Sequence, residues 1–379
     1  MNLADYDRSL TIPDASHDPF TATDLASGPL GTGLYLAAHP DPPHPPLNWI
    51  KAATGRSVYA GAKAGLLTGA PAIAFTVATA TGGRVPDRLH RAALGVIRTH
   101  LKAADRRLRT GRPARFESYD LFTGLTGLGA YLLHTDPVAA ELAAILDHLA
   151  LLADPARCNC DGLPLWWVDH APNVTDPPLA GGHGNLGIAH GIAGPLALLA
   201  LATIEQTTGP AHAEAIGHYL AIFDHWQQST TTPWWPHWIT LAELDANTSD
   251  QPAPGRPSWC YGTPGIARAQ QLAGIALGDR DRALTAALAL RSCLTDPDQL
   301  THVTDASLCH GWAGIYQTAW RAHQDEPDVI DDHLLSHLAD RIRPSGGSDL
   351  LEGQPGQALA ALTSRHQPNP TWDLLLLLA

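Results

Sequence analysis

Seven times along its 379 residues the chain repeats one short signature: a glycine, a small residue three positions later, and an apolar run that follows at once. The first glycines are Gly28, Gly69, Gly124, Gly191, Gly262, Gly311 and Gly353. The second small residues are Gly31, Ala72, Gly127, Gly194, Gly265, Gly314 and Gly356. Copies spread over the whole chain mark a repeat architecture, which has to be recognised before domains are counted. Length alone, at about 150 residues per domain, would give two or three domains. One continuous repeat predicts a single domain over residues 1–379 instead.

The stretches between the signatures read as amphipathic helices. Leu89–Leu108, Val138–Asp154 and His212–Gln228 space their apolar residues at three and four, while strand-type alternation is scarce. Each unit therefore reads as a loop, a glycine-rich turn, a buried helix and an outer helix. Pro71, Pro264 and Pro355 sit where a first helical turn accepts proline. The glycines let backbones approach where crowded helices begin. The intervals between first glycines, 41, 55, 67, 71, 49 and 42 residues, are too uneven for a regular stacked array. A closed ring tolerates loops of varied length at its rim. The expectation is an all-α fold, an α/α toroid of seven helix pairs with the glycine-rich loops at one rim.

Composition narrows the partners. Lys+Arg 24 against Asp+Glu 37 gives a net charge of −13. That argues against nucleic acid and against an anionic membrane surface, both of which need clustered positive charge. The apolar stretch near residues 64–84 is broken by Gly, Pro and Thr, so no membrane span is expected. Five cysteines are too few for a disulfide scaffold and fit a reducing compartment. The first twenty residues carry no apolar signal region. With only three Lys beside 21 Arg and abundant Ala, the usage fits a bacterial, cytoplasmic protein.

Aligning the repeats on one another points to chemistry at the rim. The residue before each first glycine is polar in all seven units: Ser27, Thr68, Thr123, His190, Tyr261, His310 and Glu352. One position earlier stand Ala26, Leu67, Phe122, Ala189, Cys260, Cys309 and Leu351, so two apolar slots in adjacent repeats have become cysteine. Two thiolates and an imidazole, Cys260, Cys309 and His310, can bind Zn²⁺ and leave a fourth position open, which is the catalytic pattern. Cys293, Cys158 and Cys160 read as small buried hydrophobes. His190 shares the slot of His310 and reads as a general acid/base or a fourth ligand. Asp120, four residues before Gly124, is an acid among apolar neighbours or simply a turn acid. Trp234, Trp235 and Trp238 form a substrate wall or core, and Leu241–Pro257 reads as a surface loop. Gly182-His183-Gly184 lacks the Lys-Ser/Thr that a phosphate loop requires.

Arg256-Pro-Ser-Trp-Cys260-Tyr261-Gly262, Leu308-Cys309-His310-Gly311 and Asn185-Leu-Gly-Ile-Ala-His190-Gly191 together resemble the lanthionine synthetase C-like family, the lanthipeptide cyclases. Leu351-Glu352-Gly353 and the closing Trp372-Asp373-Leu374-Leu375 extend the resemblance over nearly the whole chain. It implies an α/α toroid and one zinc held by Cys260, Cys309 and His310. His190 and Asp120 would be active-site acid/base residues, with Arg256 and Tyr261 nearby. The chain is too short to include a fused dehydratase or kinase, so the resemblance implies a stand-alone cyclase. Its partner would be a dehydrated precursor peptide, with room for a separate dehydratase and exporter in a synthetase complex. The reaction implied is conjugate addition of a peptide Cys thiol to dehydroalanine or dehydrobutyrine. The alternatives are a zinc thiol transferase of the glutathione type and a non-catalytic escort subunit for a modified precursor peptide.

Overall fold

The computed structural model describes residues 2–13, 19–55, 58–171, 179–229, 231–343, 346–365 and 371–379. Thirteen helices in chain order make two concentric layers. The odd-numbered ones form the inner layer: α1 (Leu30–Ala38), α3 (Ala70–Thr81), α5 (Leu125–Thr135), α7 (Ala193–Ile204), α9 (Thr263–Leu277), α11 (Trp312–Asp325) and α13 (Gln354–Thr363). The even-numbered ones lie outside: α2 (Pro46–Thr54), α4 (Asp87–Arg109), α6 (Ala140–Leu152), α8 (Pro210–Trp226), α10 (Arg280–Thr295) and α12 (Asp332–Ala339).

Sequence decides the layer. In α7 every residue from Ala193 to Ala202 is buried, as an inner helix packed on all sides requires. In α4 burial is confined to Ala93, Val96, Ile97, His100 and Ala104, one stripe at helical spacing. The helices predicted from periodicity are all present, with ends shifted by one or two residues. Each inner helix packs on the next, and α13 returns to α1, so the ring closes as an α/α toroid. The seventh outer position is filled from the other end of the chain, by Leu3–Ser9 against α13.

Backbone hydrogen bonds tie one rim loop to the next. Leu350 N–H donates to Ala26 (3.0 Å), Leu25 to Leu67 (2.7 Å), Leu121 to Ala189 (3.0 Å), Ile188 to Cys260 (2.9 Å), Cys260 to Cys309 (3.3 Å) and Leu308 to Leu351 (2.8 Å). The glycines belong to this crowding. A Cβ at Gly265 or Gly314 would overlap the carbonyl oxygen of Trp259 or Leu308, six residues back. A left-handed backbone is not the reason, since neither these two nor the preceding Gly262 (φ −83°) and Gly311 (φ −109°) have a positive φ.

The interior of the ring is filled by the chain's own end. Trp372, Asp373 and Leu374–Leu378 are buried, and this segment packs against α5. From the far side, Trp259 Nε1 donates to the Leu376 carbonyl at 2.9 Å, and Gln317 and Arg321 hold Asp373 at 2.6 Å each. The buried carboxylate is thereby paired, as burial demands.

Two expectations need correction. Cys158 and Cys160 are exposed rather than buried, because they lie in a loop beyond α6 with no apolar face to join. The Leu241–Pro257 segment starts as a helix, Leu241–Ala246, closed by a capping box between Thr240 and Glu243. His183–Asn185 and Trp238–Thr240 form a short antiparallel pair. Trp234 and Trp235 are core, whereas Trp238 is 42% exposed.

Candidate functional site

The rim turns aim the slot residues. In several loops a polar side chain about four residues before the first glycine accepts hydrogen bonds from the turn it precedes. Ser258 Oγ accepts from the N–H groups of Tyr261 (3.3 Å) and Gly262 (3.0 Å), and Ser307 Oγ from His310 N–H (3.2 Å). Asp120 Oδ1 accepts from Thr123 N–H at 2.8 Å in the same register. Asx- and Ser-turns of this kind fix the following backbone and with it the side-chain direction.

In two adjacent loops this places Cys260, Cys309 and His310 together, with one donor atom of each within 4.8 Å of the others. Cys260 is buried and the other two are half-buried. The group can hold a metal ion. Tetrahedral zinc with thiolate bonds of about 2.3 Å separates its sulfurs by about 3.8 Å, and the donor set of two soft sulfurs and an imidazole suits such an ion. A hydrogen bond from Cys309, with Ser258 Oγ 3.7 Å away and Arg256 nearby, pulls the Cys260 thiol down, while the same contact and burial push Cys309 up. His310 Nε2 lies 3.1 Å from Glu352 and 3.4 Å from Asp305, so two carboxylates orient the ring. Burial pushes the Glu352 carboxyl up, against the pull of His310.

One repeat along, His190 Nδ1–H donates to Asp120 Oδ2 at 2.7 Å. Asp120 serves the turn with one oxygen and meets the imidazole with the other. The His190 ring is 17% exposed. It sits edge-on to Phe122 at 4.6 Å and to Phe116 at 5.6 Å. Tyr261 joins the two clusters: it follows Cys260 in the chain, and its ring centre is 6.1 Å from that of His190. Burial, then the neighbouring Cys260, keeps its hydroxyl protonated far above the usual range. Arg256, half-buried, lies within electrostatic reach of Cys260, Asp305 and His237.

All seven residues singled out in the sequence thus gather on one arc of the rim. Ser27 and Thr68 have no part in either cluster. Sequence reasoning missed Phe116, His183 and His237. His183 is buried with Nδ1 unpartnered, its ring 6.0 Å from Phe116 and its pKa lowered to about 4 by burial and then by His170. His237 is half-buried against Tyr261 at 6.0 Å, and desolvation and then Arg256 lower its pKa. These residues stand outside the repeat register. Glu352 is itself a register slot and Asp305 lies six residues before Gly311, yet nothing in their spacing shows that both face His310.

Three comparisons bear on this arrangement. The family model described as lanthionine synthetase C-like protein matches residues 23–325. "Nisin biosynthesis protein NisC" of Lactococcus lactis subsp. lactis is 25% identical over 279 residues, 69% of this chain. The match spans 64% of that relative's length. A solved structure titled "Nisin cyclase" superposes with a TM-score of 0.76 at 19% identity, covering 99% of this chain and 95% of the other. Among the described residues, no helix is long and apolar enough to cross a membrane.

Proposed function

Because the chain belongs to the lanthionine synthetase C-like family, we propose that it is a zinc-dependent lanthipeptide cyclase working as one domain over residues 1–379. In this reading it acts in the bacterial cytoplasm on a dehydrated precursor peptide, with a dehydratase and an exporter as separate partners. It closes (methyl)lanthionine rings by adding a peptide Cys thiol to dehydroalanine or dehydrobutyrine. The observation that carries the reading is the juxtaposition, through Tyr261, of the Cys260–Cys309–His310 group and the His190–Asp120 pair.

Cys260, Cys309 and His310 would hold the ion, and Asp305 and Glu352 would fix the His310 ring. Bound zinc supplies a Lewis acid that favours thiolate at neutral pH, where a free thiol of pKa about 8.5 is mostly protonated. The chain's own groups handle the remaining proton. Attack of sulfur on the β-carbon forms the C–S bond, breaks the C=C π bond and leaves an enolate. The α-carbon then takes a proton, so that the thiol proton is conserved overall.

His190 is the donor for that step. With Nδ1 committed to Asp120, its Nε2 is the nitrogen free to hold the proton, and the Asp120 carboxylate stabilises the imidazolium. Phe116 and Phe122 restrict water around it. The Arg256 guanidinium stabilises the enolate oxygen, and the Tyr261 hydroxyl, protonated at all working pH, donates a hydrogen bond to the bound peptide. Ring closure does not change the peptide's mass. It is therefore read by alkylation: a dehydrated Cys-containing peptide should lose its alkylatable thiol when the zinc-loaded protein is added. Retention of the thiol under those conditions would overturn the reading. Transfer of an added small thiol to the peptide, without ring closure, would replace it by a thiol transferase.

A further inference from the structure

In a chain of net charge −13, one cavity of about 580 Å³ is walled by arginines. Arg106 and Arg107 come from the last turn of α4, and Arg112 and Arg115 from the loop that follows. Arg115 is partly neutralised by Glu117 at 3.3 Å. Among the described residues, no carboxylate forms an ion pair with Arg106, Arg107 or Arg112. Arg107 spends its Nε–H on the Pro113 carbonyl at 2.9 Å, and burial followed by the crowding of Arg115 holds its guanidinium below the usual range.

Like charges gathered in one concavity work against folding, and among the described residues only the Arg107 and Arg115 side chains have a partner, the Pro113 carbonyl and Glu117. An anionic ligand offsets that cost. Guanidinium groups take carboxylates in paired, planar hydrogen bonds, and a cavity of this size accepts a small ligand or a short stretch of chain. Position narrows the choice further. Arg115 directly precedes Phe116, whose ring lies 5.6 Å from His190, so the cavity and the acid/base pair draw on one stretch of chain.

We propose that this cavity docks an acidic segment of the peptide substrate, outside the residues that react. The inference rests on the cyclase reading for the identity of the peptide, but its first test does not. A fluorescein-labelled hexaglutamate peptide should bind the full-length protein at low ionic strength, weaken as salt rises, and lose about tenfold in affinity in the Arg106→Gln/Arg112→Gln variant. A hexaglutamine control should not bind. Matched unfolding midpoints and metal content establish that the variant is intact. Equal binding by wild type and variant, equal binding of hexaglutamine, or no binding of hexaglutamate would overturn the proposal. Displacement by inorganic phosphate at concentrations where added glutamate does nothing would also overturn it, making this a phosphate site.

The second test compares two dehydrated peptides that differ only in a Glu-rich or Gln-rich segment. The wild type should show a KM about tenfold lower for the acidic one at equal kcat, and the double variant should lose that preference. If neither peptide is cyclised while the arginine-dependent binding persists, the cyclase reading falls and the docking site stands.

Discussion

The second and fifth repeats have the same framework and opposite contents. Both place a glycine at the turn, a proline in the first helical turn and a small residue third in the helix. In the second repeat the two slots before the glycine are Leu67, packed in the core, and Thr68, whose N–H turns back to Gly65 at 3.2 Å. In the fifth they are Cys260 and Tyr261, one a candidate ligand and the other the link to His190. The framework positions answer to sterics and are fixed; the slots face the rim and are free to carry chemistry. The turns differ too. Gly69 has φ +82°, in the left-handed region, whereas Gly262 has φ −83°.

The largest effect should come from emptying one slot of the active arc. Cys309→Ala is expected to abolish stoichiometric zinc and ring closure together, measured by metal analysis and thiol alkylation. The same truncation at Thr68 should leave both at wild-type levels. Full activity in a zinc-free Cys309→Ala protein would break the division between the two arcs. Next comes the acid/base slot: His190→Asn should slow closure by about 10²–10⁴-fold while zinc stays bound. Loss of zinc in that variant would instead make His190 a ligand.

A framework position should cost stability rather than chemistry. Gly265→Ala improves helix propensity by about 1 kcal/mol, yet its methyl group would overlap the Trp259 carbonyl oxygen, which the loop-to-loop bonds hold in place. The net expectation is a loss of about 3 kcal/mol in denaturant unfolding. An unchanged midpoint would show that the rim yields more readily than its hydrogen bonds imply.

The histidines divide in the same way. His190 has an acid partner, whereas His148 and His183 are buried with one ring nitrogen each unpartnered and pKa values lowered to about 4 by burial. Unfolded, each would titrate near 6.5. Between those values the unfolded chain binds protons that the folded chain refuses, so stability present above pH 6.5 is lost as pH falls toward 4. The loss should be on the order of 1–2 kcal/mol per histidine once solvent screening is allowed for. It is read as a falling unfolding midpoint, and His148→Asn should make the fall shallower. A midpoint that does not move over that window would mean the two rings are protonated in the folded protein.

What the sequence disclosed was whatever the repeat register encodes. The glycines, the seven slots and the alternation of buried and striped helices all follow from one local geometry used again and again. That geometry is why Cys260, Cys309, His310 and His190 could be placed on one rim before any coordinates. Residues outside the register were not legible. Phe116 reaches His190 from a single 3₁₀ turn, Phe116–Ser118, and His183 is positioned by a strand pair whose halves lie on either side of α7 and α8. The closing Trp372–Leu376 was visible as a motif, but its place inside the ring depends on contacts with α5, α11 and the rim residue Trp259, far away in sequence. Cys158 and Cys160 were misjudged because a cysteine's general preference for burial says nothing about a loop without periodicity.

The smallest effect tests whether the framework is one geometry or two. Ala72 occupies the slot that is glycine in the other six repeats, and it is fully buried. If the second repeat were merely a degenerate copy, Ala72→Gly would restore the common form and relieve strain. The left-handed φ of Gly69 says otherwise: the chain enters α3 along a different path, and the methyl group has a place in the core. Removing it gives up helix propensity of about 1 kcal/mol and the burial of one methyl group, about 0.8 kcal/mol. Ala72→Gly should therefore destabilise by about 1–2 kcal/mol with cyclisation unchanged, and Gly265→Ala should destabilise by more although it is the reverse exchange. Stabilisation by Ala72→Gly would mean that a single rule governs all seven turns and that the second repeat departs from it at a cost.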